Sequence, residues 1–151
     1  MMKLTQRNMQ IMRFINEFGF CEITQIEKRV GLKKPRSYQI MQRLTKDNLV
    51  KHEQVFHGKH GIFYLTKQGA NYTDLPALKN IPKDNYTHQL TVIEIHLQLM
   101  HLFPGSMWLS EWRIKRDKSI YSIGHKSDHL VDGVLILPDG DSKNRVKTHV
   151  V

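Results

Sequence analysis

The sequence predicts a mixed α+β protein organised in two parts. Within residues 5–46, apolar residues recur three and four positions apart, which is the spacing of amphipathic helices. Residues 49–65 then change to a period of two around a glycine-containing loop, which indicates a β-hairpin. The second half predicts one long helix followed by strand-like runs. Helices and antiparallel strands therefore succeed each other in both parts, the pattern of an α+β fold.

Capping and turn residues set the bounds of the first two helices. Thr5 can cap a helix that runs to about Phe18 and ends at Gly19. A second helix covers about residues 22–30. Gly31 then supplies a tight turn, because glycine tolerates the positive φ that such turns use.

The third helix follows Pro35, a residue that the first turn of a helix tolerates. Its inner stripe is either Tyr38, Met41 and Leu44 or Ile40 and Leu44, so Tyr38 is assigned to the core or to the outer side. The outer face is predicted to carry Lys33, Lys34, Arg36, Ser37, Gln39, Gln42, Arg43 and Lys46.

Positive charge is concentrated in the first part of the chain. The net charge is +9, and residues 1–83 hold 15 lysines and arginines against 6 acids, whereas residues 84–151 hold 8 of each. Solubility alone does not require such segregation, so the first part is predicted to meet a polyanion. The alternative is a solvated basic face without a partner.

Three short helices followed by a basic hairpin resemble the winged helix-turn-helix family over about residues 5–72. The resemblance rests on the Gly31 turn, the polar third helix, the Asp47–Val50 stretch before the hairpin and the Leu65–Gly69 stretch after it. It implies that the third helix lies in the major groove of double-stranded DNA and that the hairpin, or wing, lies against the backbone or minor groove. The alternative is the same fold used to bind protein.

The side chains suit a DNA duplex. Arginine can fork onto guanine or phosphate, glutamine can pair with an adenine edge, and lysine is a point charge for phosphate. Lys67 is a further candidate for phosphate contact. The predicted DNA-binding residues are Lys33, Lys34, Arg36, Ser37, Gln39, Gln42, Arg43, Lys46, His57, Lys59 and His60.

The predicted domains are a winged helix at residues 1–72, a proline-containing linker at 73–85 and a second domain at 86–151. A helix is expected at 86–102, and strands at 107–113, 129–137 and 145–151. Asp132 stands alone among apolar residues just before Gly133. It is either an ordinary turn-capping aspartate or a carboxylate that needs a partner or a metal.

The order of these parts resembles the N-terminal part of the replication-relaxation family, which includes plasmid mobilisation proteins of the MobC relaxase type. The resemblance rests on the winged helix, the linker, the helix opening near His88, the Trp108 strand and the Asp132–Leu135 strand with its Asp139-Gly140 turn. It implies an incomplete restriction-endonuclease-like α/β domain after the winged helix. It also implies conjugation-related partners, namely double-stranded DNA and other relaxosome or coupling proteins.

The same resemblance implies a metal-dependent DNA-nicking site. Asp132 would be the first ligand of Mg²⁺ or Mn²⁺, and Glu94 would assist as a second catalytic residue. The second acid and its lysine, expected on the strand that begins near Val146, are missing from residues 147–151. Because Mg²⁺ prefers several anionic oxygen ligands, we expect weak metal binding, and DNA binding with little or no nicking by this chain alone.

Other sites are less well supported by the sequence. The single cysteine, Cys21, excludes an internal disulfide framework and a cysteine-rich zinc module. His125 and His129 could chelate zinc only if they lay on a helix.

No signal peptide or membrane-length apolar run is present, so a cytoplasmic location is expected. Besides a relaxosome component or relaxase fragment, two hypotheses stay open: a winged-helix transcriptional regulator whose second domain dimerises or senses a ligand, and a standalone metal-dependent nuclease.

Overall fold

The structure, a computed structural model, describes residues 3–116, 125–126, 129–138 and 146–149, and it is mixed α+β. The helices are α1 (Gln6–Phe18), α2 (Ile23–Val30), α3 (Arg36–Lys46), α4 (Lys67–Ala70), α5 (Tyr86–Leu102) and α6 (Glu111–Arg116). The strands are β1 (Phe20–Cys21), β2 (Val50–Glu53), β3 (Ile62–Leu65), β4 (Met107–Ser110), β5 (His125–Lys126), β6 (His129–Leu130), β7 (Gly133–Ile136) and β8 (Val146–His149). In the part of the chain so described, no helix combines the length and the hydropathy needed to cross a bilayer.

The first three helices begin and end at the residues that the sequence marks. Thr5 caps α1 by accepting a hydrogen bond from the Asn8 amide at 3.1 Å, and the Asn8 side chain accepts one from the Thr5 amide at 2.8 Å. Gly31 ends α2 in the left-handed conformation, with φ of 69°. These contacts satisfy backbone groups that helix ends otherwise leave open.

A three-stranded antiparallel sheet, in the order β1-β3-β2, packs with these helices. Phe20 of β1 lies opposite Tyr64 of β3, and Val50 of β2 lies opposite Leu65 of β3. The sequence prediction missed β1, because two buried residues show no alternation. It also extended the first hairpin strand to residue 56, whereas β2 ends at Glu53 and residues 54–61 form the loop.

The segment predicted as a linker packs on the first part of the chain. The buried Asn16 of α1 donates hydrogen bonds to Thr73 Oγ1 at 2.8 Å and to the Leu75 carbonyl at 2.7 Å. Leu78 and Ile81 pack against a cluster formed by Phe20, Ile62 and Tyr86. Residues 73–85 are therefore not a free tether.

The start of α5 also belongs to the first compact unit. The Gln89 side chain donates to the Phe18 carbonyl at 2.7 Å, and the Gln25 side chain donates to the Leu90 carbonyl at 3.0 Å. The chain divides by its contacts into Met1–Ile93 and Glu94–Val151. The division falls later than the predicted linker, because residues 73–93 bury apolar side chains against the sheet.

The second unit contains an antiparallel sheet in the order β4-β7-β8 and a separate two-stranded sheet, β5-β6. Leu109, Ile114 and Val134 form a buried cluster. Trp108 packs over Gly133, where an added Cβ would overlap the indole ring, and the His96 ring meets Trp108 edge-on at 5.1 Å.

Two strand predictions in the second unit were wrong. The strand predicted at 107–113 ends at Ser110, and Trp112 lies on α6 instead. Ser110 Oγ accepts a hydrogen bond from the Arg113 amide at 3.1 Å, as a cap does, and Glu111 pairs with Lys115 at 2.7 Å one helical turn later. The strand predicted at 129–137 is two strands in different sheets, β6 and β7, separated at residues 131–132.

Candidate functional site

The basic outer face of α3 is exposed as predicted. The helix buries Ile40, Met41 and Leu44, so its inner stripe combines members of the two predicted alternatives, and Tyr38 lies on the outside. The exposed side chains on α3 and just before it that were predicted to bind DNA are Lys33, Lys34, Arg36, Gln39, Gln42, Arg43 and Lys46. Cationic and amide groups therefore face away from the core along one helix.

Ser37 does not belong to this face. Its side chain is 0% exposed, so the prediction that it lies on the outer face was wrong. Residues 37, 40, 41 and 44 follow the three- and four-residue spacing of a single stripe, which places Ser37 on the inner side with the apolar residues. Its Oγ makes no hydrogen bond with the described residues.

The turn before α3 presents its first cations. The Lys33 carbonyl accepts from the Ser37 amide, and the Pro35 carbonyl accepts from the Gln39 amide, both at 3.1 Å. Lys33 and Lys34 are exposed there, and the Lys34 ammonium lies 5.2 Å from the centre of the Tyr38 ring. The start of the helix thus exposes Lys33, Lys34 and Arg36 close together in sequence.

The hairpin loop supplies the second group of predicted contacts. His57, Lys59 and His60 are all exposed. The Gln54 side chain donates to the Lys59 carbonyl at 3.0 Å, and the Lys59 amide donates to the Phe56 carbonyl at 3.2 Å. These bonds hold the loop as a compact tip with its basic side chains in solvent.

Burial raises the pKa of three side chains in the first unit, so each of them keeps its proton at neutral pH. Partial burial, with the neighbouring Glu53 carboxylate, raises the pKa of Tyr64. Partial burial, with Glu22, raises the pKa of Tyr86. Complete burial raises the pKa of the Cys21 thiol well above its usual range, which makes that thiol a poor nucleophile.

In the second unit, Asp132 comes directly before β7. Its side chain is half-buried, and its carbonyl accepts a hydrogen bond from the Glu111 amide at 3.3 Å. Glu94, the other predicted catalytic residue, is half-buried on α5. Both residues have interaction partners.

The described residues do not assemble a complete metal site. Residues 3–116 and 131–138, whose side chains are described, contain no group of three or more His, Cys, Asp or Glu placed to hold an ion. Mg²⁺ and Mn²⁺ prefer several oxygen ligands, so Asp132 by itself does not fit either ion well. The role of Asp132 as a metal ligand therefore stays a prediction.

The predicted zinc pair lies on strands and not on a helix. His125 belongs to β5 and His129 to β6, and His125 lies opposite Leu130 in their antiparallel pairing. The helical spacing that a chelating i, i+4 pair needs is therefore absent from this segment. The predicted Asp139-Gly140 turn lies outside the described residues.

Sequence comparison agrees with the family expected from the order of parts. A family model described as replication-relaxation matches residues 12–148, which is most of the chain. Neither a search of curated proteins nor a search of solved structures found a match. The matched range includes all of α2 to α6, all of β1 to β7 and all but the last residue of β8. The chain belongs to the replication-relaxation family.

Proposed function

We propose that this protein binds double-stranded DNA through a winged helix-turn-helix in its first unit, as a component of a plasmid relaxosome. Membership of the replication-relaxation family suggests a role in plasmid replication or mobilisation. The observation that carries the DNA-binding proposal is the exposed cationic and amide face of α3, beside a hairpin with a basic tip. The order α1-β1-α2-α3-β2-β3 supports a winged helix.

In this proposal the two elements have different tasks. The exposed start of α3 enters the major groove, where Arg36, Gln39 and Arg43 meet base edges and phosphates. Lys33 and Lys34 before the helix and Lys59 in the hairpin tip neutralise phosphates on either side. Phosphate contacts fix the register of the protein, and the arginines and glutamines then discriminate between bases.

The salt dependence of binding tests this proposal. If about five cations contact phosphates, the logarithm of the affinity should fall with the logarithm of the salt concentration at a slope near −4 to −5. Fluorescence anisotropy with a labelled 30-base-pair duplex, measured from about 50 to 300 mM NaCl, gives that slope. Lys59→Ala should make the slope shallower by about 1. A failure to bind any duplex at low salt would disprove the proposal.

For the second unit we propose the nuclease-like fold implied by the family resemblance, with Asp132 as its first acid. Its support is the place of Asp132 directly before β7, which lies between β4 and β8. Because a single carboxylate binds Mn²⁺ weakly, binding should be detectable only at high, roughly millimolar, concentrations.

Paramagnetic broadening by Mn²⁺ measures this directly. We expect the amide signals around residue 132 to broaden in the wild type and to stay sharp in Asp132→Ala. Asp84→Ala is a matched control, because Asp84 is an exposed acid in the first unit. Broadening that is equal in wild type and Asp132→Ala would show that Asp132 is not a ligand.

A further inference from the structure

An exposed aromatic ring lies on the outer face of α3. Tyr38 is 41% exposed, although Ile40, Met41 and Leu44 on the same helix are buried. The inner stripe of α3 is therefore complete without it. Core packing therefore does not account for the position of this ring, which lies among exposed cationic and amide side chains.

The ring is held by its neighbour. The Lys34 ammonium lies 5.2 Å from the ring centre, within the range of a cation–π contact. Tyr38 and Gln42 are four residues apart, so they are neighbours along the helix, and both are exposed. The ring is thus placed beside Gln42, one of the side chains that are proposed to read bases, and in contact with the Lys34 ammonium.

We propose that Tyr38 is a specificity-determining residue that reads the C5-methyl group of thymine in the major groove. This inference rests on the proposed function, since it requires α3 to enter the groove. Each base pair presents donors and acceptors there, but the thymine methyl is the apolar group that distinguishes one base from the others. An exposed ring flanked by Lys34 and Gln42 is suited to contact that methyl while its neighbours take the polar edges.

The test compares thymine with uracil, which lacks the methyl group. The probe is a duplex enriched by the wild-type full chain from a randomised library, with each thymine replaced in turn by deoxyuridine. We expect one replacement to weaken wild-type binding about five- to tenfold, and Tyr38→Ala to weaken binding of the unmodified duplex by about the same factor. In Tyr38→Ala, that deoxyuridine should change the affinity less than about twofold, because the contact is already lost.

Two further variants separate the contribution of the ring from that of the hydroxyl and from the loss of any exposed tyrosine. Tyr38→Phe keeps the ring and removes the hydroxyl, so it should keep the sensitivity to deoxyuridine. Tyr72→Ala is the matched control, because Tyr72 lies outside α3 and the hairpin and is 38% exposed. It should bind like the wild type. Circular dichroism melts of all variants check that the first unit stays folded.

The outcomes distinguish this inference from the proposed function. If Tyr38→Ala binds as tightly as wild type, or if deoxyuridine weakens wild type and Tyr38→Ala equally, the inference is overturned. Loss of affinity on substitution of Arg36 and Arg43 would then still support DNA binding by α3. If no duplex is enriched and none binds at low salt, the proposed function fails, and the inference fails with it.

Discussion

The double substitution Arg36→Ala/Arg43→Ala should weaken specific DNA binding by about 3 kcal/mol, roughly a hundredfold in Kd. Both side chains are exposed on the outer face of α3. They are seven positions apart in the sequence, about 10 Å along the helix axis, so their contributions should be nearly additive. Each arginine that forks onto a base or phosphate contributes about 1–3 kcal/mol.

Anisotropy titrations of the enriched duplex at one fixed salt concentration measure this loss. The matched control is Arg7→Ala/Arg13→Ala, which removes the same charge from exposed positions on α1. If binding reflected only the net charge of +9, both pairs would lose affinity equally. An equal loss would therefore count against α3 as the reading helix. Exposed substitutions should change the unfolding free energy by less than about 0.5 kcal/mol, so folding does not confound the comparison.

Gly69→Ala should lower the free energy of unfolding by about 3 kcal/mol, at the upper end of overpacking costs. A Cβ at position 69 would overlap the backbone carbonyl of Leu49. That carbonyl also accepts hydrogen bonds from the Thr66 amide at 3.1 Å and from Thr66 Oγ1 at 3.2 Å. Because the clash is with backbone, a side-chain rotation cannot relieve it, and α4 must separate from the start of the hairpin.

Urea unfolding followed by circular dichroism measures the change, provided that the m-value is unchanged. Gly58→Ala is the control, since it makes the same chemical change in the hairpin loop where an added Cβ meets nothing within 4 Å. Its positive φ of 76° should cost about 1 kcal/mol. If the two variants are equally stable, close packing of Gly69 against Leu49 does not contribute to the fold.

Local signals in the sequence predicted the helices of the first unit well. Thr5 and Gly31 each bond to a backbone group of a neighbouring residue, and Gly19 adopts a positive φ, so their positions fix helix ends within a residue. The exposed face of α3 was also predictable, because it is the complement of an apolar stripe. Ser37 was misplaced because serine is small and polar, so it fits both the buried and the exposed face of a helix. Its burial follows from the packing of the face that it shares with Ile40 and Leu44, which the sequence does not show.

The second unit was less predictable, since its contacts join residues far apart in sequence. Trp112 follows an apolar run that continues a strand pattern, and the end of β4 is set by the Ser110 cap and by Glu111. His96 is buried on α5 against Trp108, which no local pattern indicates. For the same reason, the sequence suggested Asp132 as an acid beside a strand but could not supply its neighbours.

The belt formed by Thr73, Leu75, Leu78 and Ile81 has a consequence for how this fold can be shared between proteins. Its hydrogen bonds to Asn16 and its packing on Phe20 and Ile62 cover a side of the small sheet. A fragment that ended after the hairpin would expose this apolar side of the sheet to water. It would also leave polar groups such as the Asn16 side-chain amide without their hydrogen-bond partners. We therefore expect related proteins to share this fold as one segment that extends to about residue 93. That segment contains the three helices, the hairpin and the belt that follows them.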